Sequence, residues 1–239
     1  MNRLDELKRF YAAMESLESI LGGKRKLANC DGRMSWPNKG IYFFFEACEN
    51  RDHSGQGMRV VRVGTHAITE TSRTTLWKRL YQHKGNSTNG GGNHRGSIFR
   101  LLVGEALQRP RNGGRICQSW AIGSSAAANI RQGELVFEQE VSQYLGTNMP
   151  FLWVNVPCRH QRQEIEAYCI RLLTNSGAPE RLDPPSENWL GGMSPRAIIR
   201  ASGLWNQNHA DRNWTEPPVG QPTPVDLFTE LIQRMPRKP

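Results

Sequence analysis

No part of this chain is apolar for long. Its longest apolar runs, residues 41–45 and 151–154, fall far short of the roughly 20 residues a helix needs to cross a bilayer, so no membrane span is expected. The five cysteines, Cys30, Cys48, Cys117, Cys158 and Cys169, include no CxxC pair. That excludes a zinc cluster or a disulfide framework and leaves them as reduced, partly buried small side chains. No glycine-rich loop is followed by Lys-Ser or Lys-Thr, which removes the Walker type of phosphate loop. Acid is also scarce: 22 Asp and Glu stand against 31 Lys and Arg, a net charge of +9. Such an excess favours a polyanionic partner or an acidic membrane surface, and charge alone does not choose between them. The first ten residues carry Asp5, Glu6, Lys8 and Arg9 where a secretory signal would have its apolar centre, so a cytoplasmic protein is expected.

What remains is 239 residues with 37% hydrophobic content, enough to bury a sizeable core in one domain with extensions or in two small ones. Leu4, Leu7, Tyr11, Met14, Leu17 and Leu21 recur at helical spacing before Gly22-Gly23, an amphipathic helix that packs or dimerises. The aromatic run 41–45 and the Val-rich 58–63 read as two strands of an antiparallel hairpin with a long polar tip. Helical spacing follows at 73–84, with Leu76 and Leu80 inward. Another helix is expected from near His94 with Ile98, Leu101, Leu102 and Leu107 as its apolar side, and Gly113-Gly114 marks the next turn. A helix at 131–144, a buried strand at 151–156 and a helix at 161–173 complete the central unit. Beyond it the chain is rich in Pro, Gly, Trp and Asn, with short helices at 195–201 and 225–234. There is no internal repeat.

Two of these helices carry residues suited to phosphate chemistry. Arg79 and His83 lie about 40° apart on their helix, along one edge of the Leu76 and Leu80 stripe, so both can converge on one phosphate. Arginine offers a planar fork of donors matched to phosphate oxygens, and histidine can donate or relay a proton near neutral pH. On the last helix of the unit Ile165, Tyr168, Cys169, Leu172 and Leu173 define an apolar arc. Glu166 falls at its edge while Glu164 faces outward. A carboxylate there requires an ion pair or a bound cation. Tyr42, taken alone, is a core tyrosine in a strand.

The polar loop 89–97, Asn-Gly-Gly-Gly-Asn-His-Arg-Gly-Ser, has the composition of a backbone cradle for an anion at a helix start, with His94 and Arg95 adding charge; a plain flexible loop is the alternative. The run 202–209 could contact nucleic acid or pack Trp205 into the core. A basic surface made of Arg79, Arg95, Arg100 and the run Lys24, Arg25, Lys26 is expected to bind a polyanion in a salt-dependent way.

The order of these features resembles the GIY-YIG nuclease superfamily, in its restriction-like endonuclease branch. Gly40-Ile41-Tyr42 is similar to the first signature, and Arg62-Val63-Gly64 lies where the second would be. Arg79 and His83 match the Arg and His of the following helix, and Glu166 in Glu164-Ile165-Glu166-Ala167-Tyr168 matches the helix-borne glutamate. The resemblance covers about residues 38–192. It implies an α/β fold: a small antiparallel or mixed three-stranded sheet flanked by helices, with a helical N-terminal extension (1–37), an insert at about 85–149 and an irregular C-terminal extension (193–239).

The resemblance further implies a Mg²⁺- or Mn²⁺-dependent endonuclease acting on DNA, with Glu166 as the metal ligand, Tyr42 orienting or deprotonating the attacking water, and Arg79 neutralising developing charge. Two departures stand out. Arg62 replaces the family's second tyrosine and cannot serve as a base, so it would contact phosphate instead. The family's asparagine has two candidates, Asn175 and Asn188, with Asn188 preferred. A homo-oligomer and a cognate methyltransferase are compatible with this reading. The competing function is a nucleic-acid-binding module that keeps the fold without catalysis. A nucleotide-dependent enzyme using the glycine-rich loop ranks behind both.

Overall fold

The computed structural model describes residues 1–108, 116–218 and 220–236, so the turn expected at Gly113-Gly114 lies outside the described residues. In chain order the elements are α1 (Arg3–Leu21), β1 (Arg25–Lys26), β2 (Gly40–Asn50), β3 (Met58–Thr65), α2 (Leu76–Lys84), α3 (Ile98–Leu107), α4 (Ala128–Thr147), β4 (Pro150–Asn155), α5 (Arg159–Leu173), α6 (Ala197–Ser202) and α7 (Pro224–Gln233). Helix starts and stops follow local chemistry. Asn2 caps α1, which ends where Gly22 takes φ 72°, and Thr75 and Ser97 cap α2 and α3 through their hydroxyls.

The strands form one sheet in the order β1-β4-β2-β3, every neighbouring pair antiparallel. The expected antiparallel or mixed sheet is antiparallel, and its strand count is corrected from three to four. The fourth strand is only Arg25 and Lys26, facing Phe151 and Pro150, too short to leave a period-two pattern in the sequence.

Alternation along β2 assigns its side chains to two helical layers. Phe43 packs on one face, its ring 5.9 Å from Phe10 of α1 and 5.3 Å from Phe228 of α7. Tyr42 and Phe44 point to the other face, where Phe44 lies 5.0 Å from Phe99 of α3 and Tyr42 lies 5.4 Å from His83 of α2. Helix α5 packs against α1, α7 and β3. Hence the N-terminal helix and the last helix share the core of the sheet.

The C-terminal segment closes the outer edge of β3. Trp205 N–H donates to the Val61 carbonyl at 2.7 Å, and the Asn206 side chain accepts from Val63 N–H at 3.1 Å and donates to Val63 O at 2.8 Å. The amide thus satisfies one residue of an otherwise unpaired strand edge. Trp189 and Trp205 both donate from Nε1 to the buried Glu46 carboxylate at 2.9 Å. Trp205 is fully buried, which decides for core packing at that position. Among the described residues no helix is long and apolar enough to cross a membrane.

Candidate active site

A cleft of about 970 Å³ opens beside the β2–β3 pair. Tyr42 reaches it from β2, Arg62 from β3, Arg79 from α2 and Glu166 from α5, while Asn206 and its neighbours to His209 form a wall. His83 lies behind Tyr42 and is itself fully buried.

Tyr42 crosses the sheet surface over its cross-strand partner Gly64. A Cβ on Gly64 would fall 2.4 Å from the Tyr42 hydroxyl oxygen, so only glycine at that signature position lets the phenol lie there. The Tyr42 hydroxyl is 2.8 Å from His83 Nε2, and His83 Nδ1 is 2.8 Å from Ser97 Oγ. Burial holds the His83 ring well below the usual histidine pKa, with the charges of Arg79, Arg62 and Arg100 acting in the same direction. The imidazole is therefore neutral and carries one ring proton.

Arg62 is buried, donates from a terminal guanidinium nitrogen to the Trp205 carbonyl, and stacks 4.6 Å from the Phe99 ring centroid. Among the described residues its Nε has no hydrogen-bond partner. Burial lowers the guanidinium pKa, while Tyr42 and Glu166 oppose that shift and Arg79 adds to it. Burial likewise raises the Glu166 pKa against the pull of Arg62, the Thr65 N–H and Arg79. The Thr65 N–H holds Glu166 Oε1 at 3.1 Å, and among the described residues Oε2 has no hydrogen-bond donor. Arg79 is only lightly tethered, to Gln82 Oε1 at 2.8 Å and to the Gly96 carbonyl at 3.4 Å. Its fork remains available to a ligand in the cleft.

The expected nucleic-acid contacts are corrected by their partners. Arg100 is fully buried: Nε donates to Glu138 Oε2 at 3.0 Å and a terminal nitrogen to the His83 carbonyl at 2.9 Å. Arg95 makes a fork of 2.7 and 2.8 Å to Glu134. His94 is buried against Trp120 and meets Glu138 Oε1 at 3.0 Å. The glycine-rich loop does wrap an anion, but the anion is Glu138, which accepts the His94 N–H at 2.7 Å. At Gly92 a Cβ would fall 2.1 Å from the Arg100 guanidinium carbon. The glycine is there to let backbone close over the ion pair.

Lys24, Arg25 and Lys26 sit on or beside β1, at the sheet edge opposite β3. Lys24 pairs with Glu18 and Arg25 lies over Trp153. Neither asparagine candidate lines the cleft. Asn188 is exposed in the loop before Trp189, and Asn175 clamps Leu182 through bonds of 2.9 and 3.0 Å.

Three residues at or behind the cleft carried no motif. Asn206 lay in the polar run already conspicuous in the sequence. Ser97 showed only as the last residue of the glycine-rich loop. His66 had no signal: it is buried at the cleft, Nε2 donates to the Asn38 carbonyl at 3.2 Å, and Nδ1 has no partner among the described residues. Its pKa is lowered to about 4, chiefly by burial.

Asp52, His53 and Asp183 also cluster at metal-ligand distances, away from the cleft. There Asp183 Oδ1 already accepts the N–H groups of Asp52, His53 and Ser54 at 2.8 to 3.0 Å, so the cluster reads as a loop anchor.

A family model described as GIY-YIG domain matches residues 1–237, from α1 to beyond α7. No curated protein and no solved structure matches the chain.

Proposed function

The chain belongs to the GIY-YIG domain family, and from that premise we propose that it is a metal-dependent endonuclease hydrolysing phosphodiester bonds in DNA, of the site-specific restriction type. The observation that carries the reading is the convergence of Tyr42, Arg62, Arg79 and Glu166, from four different elements, on one cleft. In this reading Arg79 grips the non-bridging oxygens of the scissile phosphate, because only one nitrogen of its fork is engaged, by Gln82 and the Gly96 carbonyl, and among the described residues no carboxylate pairs with it. Tyr42 orients the attacking water, held in place by His83 and by the neighbouring Arg62 guanidinium. Arg62 stabilises charge on the phenol oxygen and the phosphate; it stands where the family has its second tyrosine without replacing it as a base.

Glu166 is the residue that would hold a divalent cation, Mg²⁺ or Mn²⁺. The donor chemistry fits: one carboxylate oxygen is fixed by a backbone N–H, the other meets no donor among the described residues, and a hard cation of this kind needs only one or two carboxylates, with water and phosphate completing its shell. When bound, such a cation polarises the phosphate and stabilises the leaving oxygen. The polar wall 206–209 offers amides and an imidazole to substrate near the cut. A cognate methyltransferase would protect host sites from such an enzyme.

Supercoiled plasmid incubated with the protein and Mg²⁺ tests the reading. Nicked or linear product, abolished by EDTA, is the expected result. Retention of plasmid in a binding assay without cutting would favour the non-catalytic module instead.

A further inference from the structure

Behind Tyr42 lies a fully internal chain of hydrogen bonds whose direction can be deduced. It consists of the Tyr42 hydroxyl, the two ring nitrogens of His83 and the Ser97 hydroxyl, joined by two contacts of 2.8 Å. Ser97 and His83 are fully buried, and Tyr42 is 1% exposed. A neutral imidazole gives the chain two polarities: Nε2 receives the Tyr42 proton while Nδ1–H donates to Ser97, or Ser97 donates to Nδ1 while Nε2–H donates to Tyr42.

The Ser97 oxygen separates the two. As the cap of α3 it already accepts the Arg100 N–H at 3.3 Å. If it also accepted from His83, its own proton would need an acceptor, and among the described residues none but His83 Nδ1 is within reach. A buried hydroxyl proton without an acceptor is costly, and native interiors avoid it. With the opposite polarity every group within the chain is satisfied and only the Tyr42 proton remains to be placed. Ser97 donates to Nδ1, Nε2–H donates to Tyr42, and the Tyr42 proton turns to the one polar space left to it, the cleft.

We infer that Ser97 is a positioning residue that holds His83 as its Nε2–H tautomer and thereby aims the Tyr42 hydroxyl proton into the cleft. The inference deepens the proposed function and rests on its reading of Tyr42 as the group that meets the attacking water. It gives Tyr42 a definite first role. The phenol receives a hydrogen bond from His83, has the Arg62 guanidinium beside it, and presents a donor to water or a phosphate oxygen. The ring cannot take the phenol proton from the resting state, because Nε2 already carries one. Arg100 supports the arrangement from behind, since it binds the His83 carbonyl and contributes the N–H that occupies Ser97.

The ¹⁵N spectrum of the full chain labelled at histidine reads the tautomer directly at neutral pH, with His83 assigned by the His83→Gln variant. A protonated Nε2 and a bare Nδ1 are expected; a protonated Nδ1 overturns the inference. In Ser97→Ala the Nδ1–H form should gain population and kcat should fall with little change in KM. Ser97→Thr, which keeps hydroxyl and cap, should retain the wild-type signature. If Ser97→Ala does not fold, the wild-type and Ser97→Thr spectra still decide. An Nε2–H signature in Ser97→Ala as clean as wild type would also overturn it. Plasmid cleavage by Tyr42→Phe at the wild-type rate would sink the proposed function while the tautomer stood, so the two failures are distinct.

Discussion

Glu166 differs from Glu164, two residues before it, in what surrounds it. Glu164 is exposed, whereas Glu166 is drawn inward beside Arg62, Arg79 and the Thr65 N–H. Burial still dominates, so its carboxyl is raised above the ordinary range. Glu166→Gln should therefore abolish plasmid cleavage in Mg²⁺ while DNA binding, measured by fluorescence anisotropy, holds or tightens slightly, because a negative charge near phosphate has gone. Stability should follow linkage. A carboxyl raised on folding contributes stability at low pH that is lost as pH rises through its folded pKa, so the variant should gain on wild type in Tm between pH 4 and pH 7. A variant that unfolds would identify Glu166 as an ion-pair partner of the arginines. His66 has the opposite sign. Its pKa falls from the usual 6.5 to about 4, first through burial and then through Arg162, Lys39 and Arg79. The neutral ring stabilises the fold above pH 6.5, and that contribution is lost as pH drops toward 4. The Tm advantage of wild type over His66→Gln should thus shrink between pH 7 and pH 4.5; a constant gap would show that the ring does not titrate differently on folding.

Helices α3 and α4 are clasped by charges that sequence alone sets on the outside. Arg95 and Arg100 look like solvent-facing cations at the start of a helix, because their partners Glu134 and Glu138 lie 39 and 38 residues further on. Only the tertiary pairing makes them internal. The elements with strong periodicity, α1, α2, α5 and the β2–β3 hairpin, were legible because an apolar stripe or alternation is written into each. The two-residue β1 was not, and the role of Asn206 depends on the edge of β3, which no local pattern announces. The clasp also reaches the site, since Arg100 bonds the carbonyl of His83 at the end of α2. Arg100→Met should cost about 3 to 5 kcal/mol in urea denaturation, because Glu138 is left buried without its main partner. The double variant Arg100→Met with Glu138→Leu should recover much of that loss; no recovery would mean that the helices are held by packing and not by the pair. At the hairpin, Gly64→Ala should displace the Tyr42 ring and lower cleavage far more than its stability cost of about 1 to 3 kcal/mol would explain.

Across the whole molecule, the excess of nine positive charges is spent unevenly. Some of the arginines serve internal pairs, as Arg59 does with Glu49, Arg95 with Glu134 and Arg100 with Glu138, and the half-buried Arg196 pairs with Glu105. The basic run Lys24 to Lys26 lies at the far edge of the sheet. Net charge read from the sequence does not say which cations face water, and several of them are taken up by carboxylates within the fold. Arg79 stands at the rim of the cleft, and its sequence neighbours Lys78, exposed on α2, and Arg73, exposed on the approach to that helix, lie outside the lining. Each phosphate neutralised by such a group releases condensed counterions, and log K against log salt loses about one unit of slope per contact removed. Lys78→Ala and Arg73→Ala should each flatten that slope by about one while weakening DNA of any sequence equally. Arg95→Ala, checked by circular dichroism to be folded, should leave the slope as it is, because its guanidinium is held by Glu134 and never meets a phosphate. If Arg95→Ala flattens the slope as much as Lys78→Ala does, the clasp opens on DNA and the footprint extends over the glycine-rich loop. If neither Lys78 nor Arg73 affects it, the substrate does not approach along α2, and the cleft takes its DNA from the side of the wall 206–209.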